Sequence, residues 1–368
     1  MRIKRVALCR ITVPFEVPLP FSFGEMTGGH NLIIRITTDA GIAGIGEASP
    51  FPFITGDDIG SNIAYAKILS SHLVGRDPLA INDRMEDIYD VATRQPSLHS
   101  AFDMALYDIA AKHADIPLYR FLGGEKRPIW TDYTVGMHAN VQQTLEEVRR
   151  VCDAGFRHIK LKVGREAPQD ITFIRKVRAL IGHERVLSLD CNRGWAFDTA
   201  LTVLSEVTDL NICHCEEPLR SPDVEALARL RSSTKVPICL DESVTSEQDA
   251  LNVIKGDAAD VINIKLGRIG GMHRARRINE IARANNTQCM IGCFAESRIG
   301  LAAAAHFSIA NRNVHYFDLD SAYQTLYDPV LSGFSYDVSN DGSVSVSESA
   351  GLGTALNETL LPKFVDIG

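Results

Sequence analysis

No apolar run in the 368-residue chain reaches the ~18 residues of a spanning helix, so no membrane segment is expected. Basic residues are in deficit. Lys plus Arg number 38 against 46 Asp plus Glu, a net charge of −8, which argues against a nucleic-acid partner. None of the eight cysteines forms a Cys-x-x-Cys pair. Most lie inside apolar runs and read as reduced core residues. The opening Met1–Phe15 alternates like a strand and lacks a signal-peptide pattern, so a cytoplasmic protein is expected. What is present is ordinary for a globular chain: 45% hydrophobic and 23% charged residues. The length allows two domains or one large barrel with an attachment.

The first 55 residues read as β, with residues 31–37 and 42–48 flanking the hairpin signal Asp39-Ala40-Gly41. Pro18–Gly29, rich in Pro, Phe and Gly, reads as a loop. Phe102, Ala105, Leu106, Ile109 and Ala110 fall on one face of a helix, and Gly123-Gly124 closes that region. From about residue 132 the rhythm changes. Eight short apolar runs (133–136, 158–164, 186–192, 212–218, 237–243, 260–266, 288–293 and 315–320) alternate with amphipathic stretches, several starting roughly 25 residues apart, the size of one β/α unit. Repeated βα units imply a closed parallel barrel. Beyond residue 325, a turn at Asn340-Asp341-Gly342 and the alternating Ser343–Val346 return to β. The expected division is an α+β capping domain over residues 1–125, a barrel over 126–322, and a C-terminal segment over 323–368 packing back on the N-terminal strands.

Side chains two apart on a strand share a face. Lys160 and Lys162, Asp190 and Asn192, then Glu216, Asp241 and Lys265 therefore collect at the C-terminal ends of the second to sixth strands, where barrel active sites form. Charged groups inside apolar strands are costly unless paired or metal-bound. Asp190, Glu216 and Asp241 offer hard oxygen ligands suited to Mg²⁺ or Mn²⁺. Glu217 faces away or sits in the turn before Pro218. Lys162 precedes the acids by one strand and Lys265 follows them by one, on opposite sides of the mouth. Two amines on opposite faces of one carbon suit a racemase or epimerase, with base pKa values lowered towards neutral. Lys160 adds fixed positive charge. The bland alternative is that the lysines merely neutralise the acids.

Lys160–Gly164 (KLKVG), LDCN at 189–192, CEEP at 215–218, LDES at 240–243 and NIKLGRIGG at 263–271 together resemble the enolase superfamily, most closely its muconate-lactonizing subgroup. Residues 100–124 are similar to the helix preceding the barrel in that group. The resemblance implies a modified (β/α)₇β TIM-type barrel under an α+β cap. It also implies Mg²⁺-assisted removal of a proton α to a carboxylate through an enediolate.

Asp318 and Asp320 are surplus to metal binding and suit a substrate ammonium. That pair resembles dipeptide epimerases, so epimerisation at the C-terminal residue of an L-L dipeptide is expected. Thr55, Thr134 and Gly292–Ser297, including Glu296, also look similar to that family. Where Ala-Glu epimerases carry an Arg, this chain has Gly24 followed by Glu25. Glu25 would favour a cationic dipeptide; Phe21, Phe23 and Met26 an apolar one; Arg298 an acidic group. The rival readings are an N-acylamino-acid racemase, an o-succinylbenzoate synthase, a muconate cycloisomerase and, from another class, a non-catalytic metal-binding barrel. A carbohydrate-acid dehydratase would need a His-Asp base pair where Lys265 and Glu296 stand. Barrels of this kind often form symmetric homo-oligomers.

Overall fold

The computed structural model describes the whole chain except residues 23, 327, 329, 331 and 338–341. Phe23 and the expected turn residues Asn340 and Asp341 lie outside the described residues. The N-terminal third opens with β1 (Ile3–Phe21), β2 (Gly24–Thr38) and β3 (Ala43–Ala48), an antiparallel meander. Helices follow, chief among them Pro96–His113, whose residues 97–111 are all buried. After β4 (Ile129–Trp130), eight parallel strands alternate with helices: β5 (Tyr133–Val135), β6 (His158–Lys162), β7 (Val186–Asp190), β8 (Ile212–Glu216), β9 (Ile238–Leu240), β10 (Val261–Lys265), β11 (Gln288–Gly292) and β12 (Val314–Phe317). All eight expected strands are present. Seven of them are followed by a full helix and the eighth by the 3₁₀ turn Ser321–Tyr323, the (β/α)₇β pattern. The Asp132 N–H donates to the Phe317 carbonyl at 3.0 Å and closes the ring between β12 and β5.

Alternation explains the barrel's two cores. Outward residues such as Leu187, Leu189, Ile238, Ile262 and Ile264 join the main hydrophobic cluster beneath the helices. The inward set is small: Cys239, Val261 and Met290, with Tyr316 against them, plug the floor. Above that floor the same inward register carries Lys160, Asp190, Glu216 and Lys265, so polarity rises towards the C-terminal mouth.

The expected loop at Pro18–Gly29 is instead the far end of the β1–β2 ribbon, paired through Leu19↔Met26, Pro20↔Glu25 and Phe21↔Gly24 after a register shift. β3 covers β2 only from Leu32 onwards, so this end of the ribbon is a two-stranded edge. An edge tolerates prolines, which cannot donate to a third strand. The C-terminal segment divides. The strand β15 (Val365–Asp366) pairs with β1, whereas β13 (Phe334–Asp337) pairs with β14 (Ser343–Val346), which in turn pairs with β4 ahead of the barrel.

Two buried acids fasten the N-terminal layer to the barrel. Glu47 on β3 accepts from Ser297 N–H, Ser297 Oγ, Gly300 N–H and Asn31 Nδ2 at 2.7–3.0 Å. Asp103 accepts from the Met272 and His273 N–H groups at 2.6 and 3.1 Å, satisfying the start of the helix Met272–Ala284. Gly271 precedes that helix at φ 105°, and a Cβ there would lie 2.5 Å from the Asp103 side chain, so only glycine permits the approach.

Candidate active site

A cleft opens at the C-terminal ends of the strands beneath the β1–β2 ribbon. Lys160, Lys162, Lys265, Asn192, Asp318, Asp320 and Thr134 all line it, with Phe51 and Phe294 in its roof. Lys162 is on β6 and Lys265 on β10, so four strand-to-strand steps around an eight-stranded barrel separate them.

Each lysine is committed to carboxylates. Lys162 Nζ donates to Asp190 Oδ2 and Asn192 Oδ1, both at 2.6 Å. Lys265 Nζ lies 3.0 Å from Asp241 Oδ2 and 5.1 Å from the Phe294 ring centroid. Lys160 Nζ donates to Asp318 Oδ2. The expectation of lowered base pKa values meets the opposite direction at Lys265 and Lys160. Burial disfavours both ammonium ions, but Glu216 and Asp318 around Lys265, and Asp318, Asp132 and Glu216 around Lys160, outweigh it and raise both. The acids diverge. Burial opposes the charge on Asp190, yet Lys162, Lys160 and Lys265 hold it below the usual carboxylate range, while burial and Asp190 push Glu216 up.

Asp190, Glu216 and Asp241 are fully buried at successive strand ends, with Asp190 registered opposite Glu216. They are not drawn into one tight cluster. Among the described residues, the trio whose ligand atoms all lie within 4.8 Å of one another is Cys293, Asp318 and Asp320. Asp190 is pulled to Lys162, Asp241 to Lys265 and Arg268, and Glu216 accepts from Asn263 Nδ2 at 2.7 Å. Even so, Glu216 Oε2 is buried without a hydrogen-bond partner, and Asp241 is held through ion pairs to Lys265 and Arg268. An orphaned carboxylate oxygen flanked by two further acids at the neighbouring strand ends fits a hard divalent cation.

At the β12–β5 seam, Asp132, Asp318 and Asp320 all face Lys160, and Lys265 and Lys162 also act on Asp318. Asp320 Oδ2 accepts from the Thr134 N–H and from Gln324 Nε2, both at 2.7 Å. Burial, then the neighbouring Asp318, raises both Asp132 and Asp320. The seam thus gathers three carboxyl groups, of which Asp318 is the one the lysines hold charged.

The other sequence candidates fall outside the cleft. Ser297 caps the helix Arg298–Ala310 and binds Glu47. Glu296 accepts from the Phe294 N–H, and burial with Glu47 raises it to about 8. Arg298 turns to Asp328 and the Val330 carbonyl, away from the cleft, because its N–H and guanidinium are both held there. Thr55 Oγ1 accepts from the Phe51 N–H. Gly24 packs on the Phe21 ring at the ribbon's tip, and Glu25 lines a neighbouring outer groove, exposed. Glu217 sits in the turn after β8 with φ 39° and accepts from the Asp241 N–H at 2.8 Å, bracing the loop after β9. Residues unnoticed in the sequence include Asn263 and His214. Both share a face with a flagged neighbour two positions on, so the same rule exposes them. His214 is buried a layer below Glu216, its pKa lowered to about 4 by burial and Lys160. Arg268, beside Asp241, carries no local signal.

Residues 4–123 match the N-terminal domain of the mandelate racemase / muconate lactonizing enzyme family, and residues 143–360 match the enolase C-terminal domain-like family. The chain is 35% identical to a D-Ala-D/L-Ala epimerase of Cytophaga hutchinsonii, over 98% of each chain. It is 34% identical to an L-Ala-D/L-Glu epimerase of Bacillus subtilis over 96% of each. A crystal structure of the dipeptide epimerase from Cytophaga hutchinsonii with Mg and D-Ala-L-Val superimposes at a TM-score of 0.96, with 34% identity and coverage of 100% and 99%. The Enterococcus faecalis dipeptide epimerase with Mg and L-Leu-L-Tyr gives 0.92 at 31% identity, covering 96% and 100%.

Proposed function

Because the chain belongs to the enolase superfamily, with both the N- and C-terminal domains of its mandelate racemase / muconate lactonizing branch, we propose that it is a Mg²⁺-dependent dipeptide epimerase. It inverts the α-carbon of the C-terminal residue by a two-base proton transfer. The observation that carries this reading is the placement of Lys162 and Lys265 half a barrel apart, with the acid trio between them and the electronegative seam at one side. The full-length relatives named epimerases support it.

The substrate carboxylate sits over Asp190, Glu216 and Asp241, and its ammonium points to Asp318 and Asp320. Asp190, Glu216 and Asp241 would hold a divalent ion, which would supply positive charge where the departing proton leaves a second negative charge. One unit-charge contact at about 4 Å is worth about 4 kcal/mol at an effective dielectric of about 20, or nearly three decades of rate at about 1.4 kcal/mol per tenfold. One lysine removes the α-proton and the other delivers a proton to the opposite face. Lys160 stays charged, held by Asp318, and keeps the seam from accumulating repulsion. Asp318 and Asp320 accept hydrogen bonds from the substrate ammonium, which fixes the α-carbon between the bases.

Among the described residues no helix is long and apolar enough to cross a membrane. The reading extends to a cytoplasmic enzyme of small molecules, independent of nucleic acid and membranes, working as a homo-oligomer. The net charge of −8 supports the independence from nucleic acid, and the eight free cysteines support the reducing compartment. Incubation in D₂O with Mg²⁺ and a dipeptide library tests the activity. Deuterium is expected at the α-carbon of the C-terminal residue; no uptake from any dipeptide refutes the reading.

A further inference from the structure

We propose that the residue being inverted carries an uncharged, apolar and preferentially aromatic side chain, received by Met26, Phe51, Ile54 and Phe294. This rests on the dipeptide reading and names its substrate class. With the carboxylate over β7–β9, the amines on β6 and β10, and the ammonium at β12, the side chain of the central carbon is left the roof of the cleft. That roof is apolar. Phe51 is its hub, with ring centroids 6.1 Å from Phe21, 6.1 Å from Phe294 and 6.0 Å from Phe53, all edge-on. Offset aromatic clusters of this kind accept a further ring at an edge. Phe294 also lies over Lys265, so the roof abuts one of the bases.

Charge decides against the alternatives. The cations lining the cleft are Lys160, Lys162 and Lys265, and each is ion-paired, to Asp318, Asp190 and Asp241. A side-chain carboxylate would enter beside Asp318 and Asp320 with no uncommitted cation among the described lining residues. A cationic side chain would need Glu25, which stands outside the cleft in the outer groove. The arginines an acidic side chain would need, Arg193 and Arg220, line an adjoining cleft that shares Ile54 and Asn192 with the first and lies outside the lysine-lined one. There Arg193 lies 3.5 Å from Glu217, Arg220 donates to the Gly194 carbonyl at 2.8 Å, and Glu242 shares the wall. Arg193 is thus already ion-paired, and neither arginine lines the cleft that holds the bases.

The test holds the N-terminal residue constant and compares L-Ala-L-Phe, L-Ala-L-Ala, L-Ala-L-Glu and L-Ala-L-Lys with the Mg²⁺-loaded enzyme. L-Ala-L-Phe is expected to exceed the Glu and Lys dipeptides in kcat/KM by at least about tenfold, within the range a pocket of this type discriminates. In Phe51→Ala, and in the milder Phe51→Leu, the ratio of kcat/KM for L-Ala-L-Phe over L-Ala-L-Ala should fall, by about tenfold in the former. Preference for L-Ala-L-Glu or L-Ala-L-Lys overturns the inference and leaves the dipeptide reading standing. An unchanged Phe-to-Ala ratio in both variants overturns the subsite. Absence of α-exchange from every dipeptide defeats the activity itself.

Discussion

Lys162 and Lys265 stand on the sixth and tenth strands of the chain, across the barrel mouth from each other, and each is held by a different acid: Lys162 Nζ is 2.6 Å from Asp190 and Lys265 Nζ 3.0 Å from Asp241. If each amine serves one face of the substrate carbon, the two lysines are not redundant. Lys162→Ala and Lys265→Ala should each lower epimerisation by roughly 10²–10⁴-fold, the worth of a positioned acid or base. Each should still exchange the α-proton of one epimer with D₂O, and the two variants should differ in which epimer. Proton NMR of the L-L and L-D dipeptides separates these cases. Loss of exchange from both epimers in both variants would mean the amines act as one unit and not as two bases.

The acid trio makes a second claim, independent of turnover. Glu216 Oε2 is buried without a hydrogen-bond partner, and such a group is destabilising until satisfied. Mg²⁺ should therefore raise the melting temperature. A ligand at about 100 times its Kd adds about 2.7 kcal/mol. Glu216→Gln and Asp241→Asn should weaken Mg²⁺ binding at least tenfold by calorimetry and abolish most of the thermal shift. The same shift in the double variant as in the parent chain would place the ion elsewhere.

Asp318 and Asp320 are distinguishable by their partners. Asp318 holds the buried Lys160, whereas Asp320 accepts only from the Thr134 N–H and the Gln324 amide. Asp318→Asn strips a buried ammonium of its nearest partner, a change that typically costs about 3–5 kcal/mol, so it should lower stability as well as activity. Asp320→Asn should raise KM for dipeptides with a free amine by roughly tenfold or more, with a much smaller loss of stability. N-acetyl dipeptides should be poor substrates for the parent chain and insensitive to Asp320→Asn. Equal activity on free and acetylated dipeptides would favour the N-acylamino-acid racemase instead.

The barrel was legible because a parallel strand buried on both faces writes a continuous apolar run, and a charge at its C-terminal end then stands out. The rule of two picked Lys160, Lys162, Asp190 and Asp318 from such runs. The same rule does not extend to loops. Ser297, Glu296 and Arg298 sit together in the sequence, yet the turn after β11 sends them to Glu47, to the Phe294 N–H and to Asp328. The ribbon at Pro18–Gly29 was obscured for a related reason. Its prolines and glycines signal a loop, and only its position at a sheet edge makes them compatible with pairing. Arg268 was invisible because its meeting with Asp241 depends on the fold and on no spacing.

Asp103 offers a test of the packing between the N-terminal helices and the barrel. Its carboxyl is fully buried, and burial drives its pKa to about 7 despite the Met272 and His273 N–H groups that favour its charge. The sign follows from linkage. A carboxyl raised on folding binds its proton more tightly in the native state, so its contribution to stability is complete below the unfolded pKa and is lost as pH rises through about 7. Each raised group contributes a slope of at most about 1.4 kcal/mol per pH unit. Asp103→Asn keeps one acceptor for the helix start and removes the titration. In metal-free urea denaturation, the variant's stability relative to the parent chain should increase steadily from pH 5 to pH 7 and level off above pH 8. Parallel stability curves across that range would show that Asp103 is ionised throughout, and that its two N–H donors outweigh its burial.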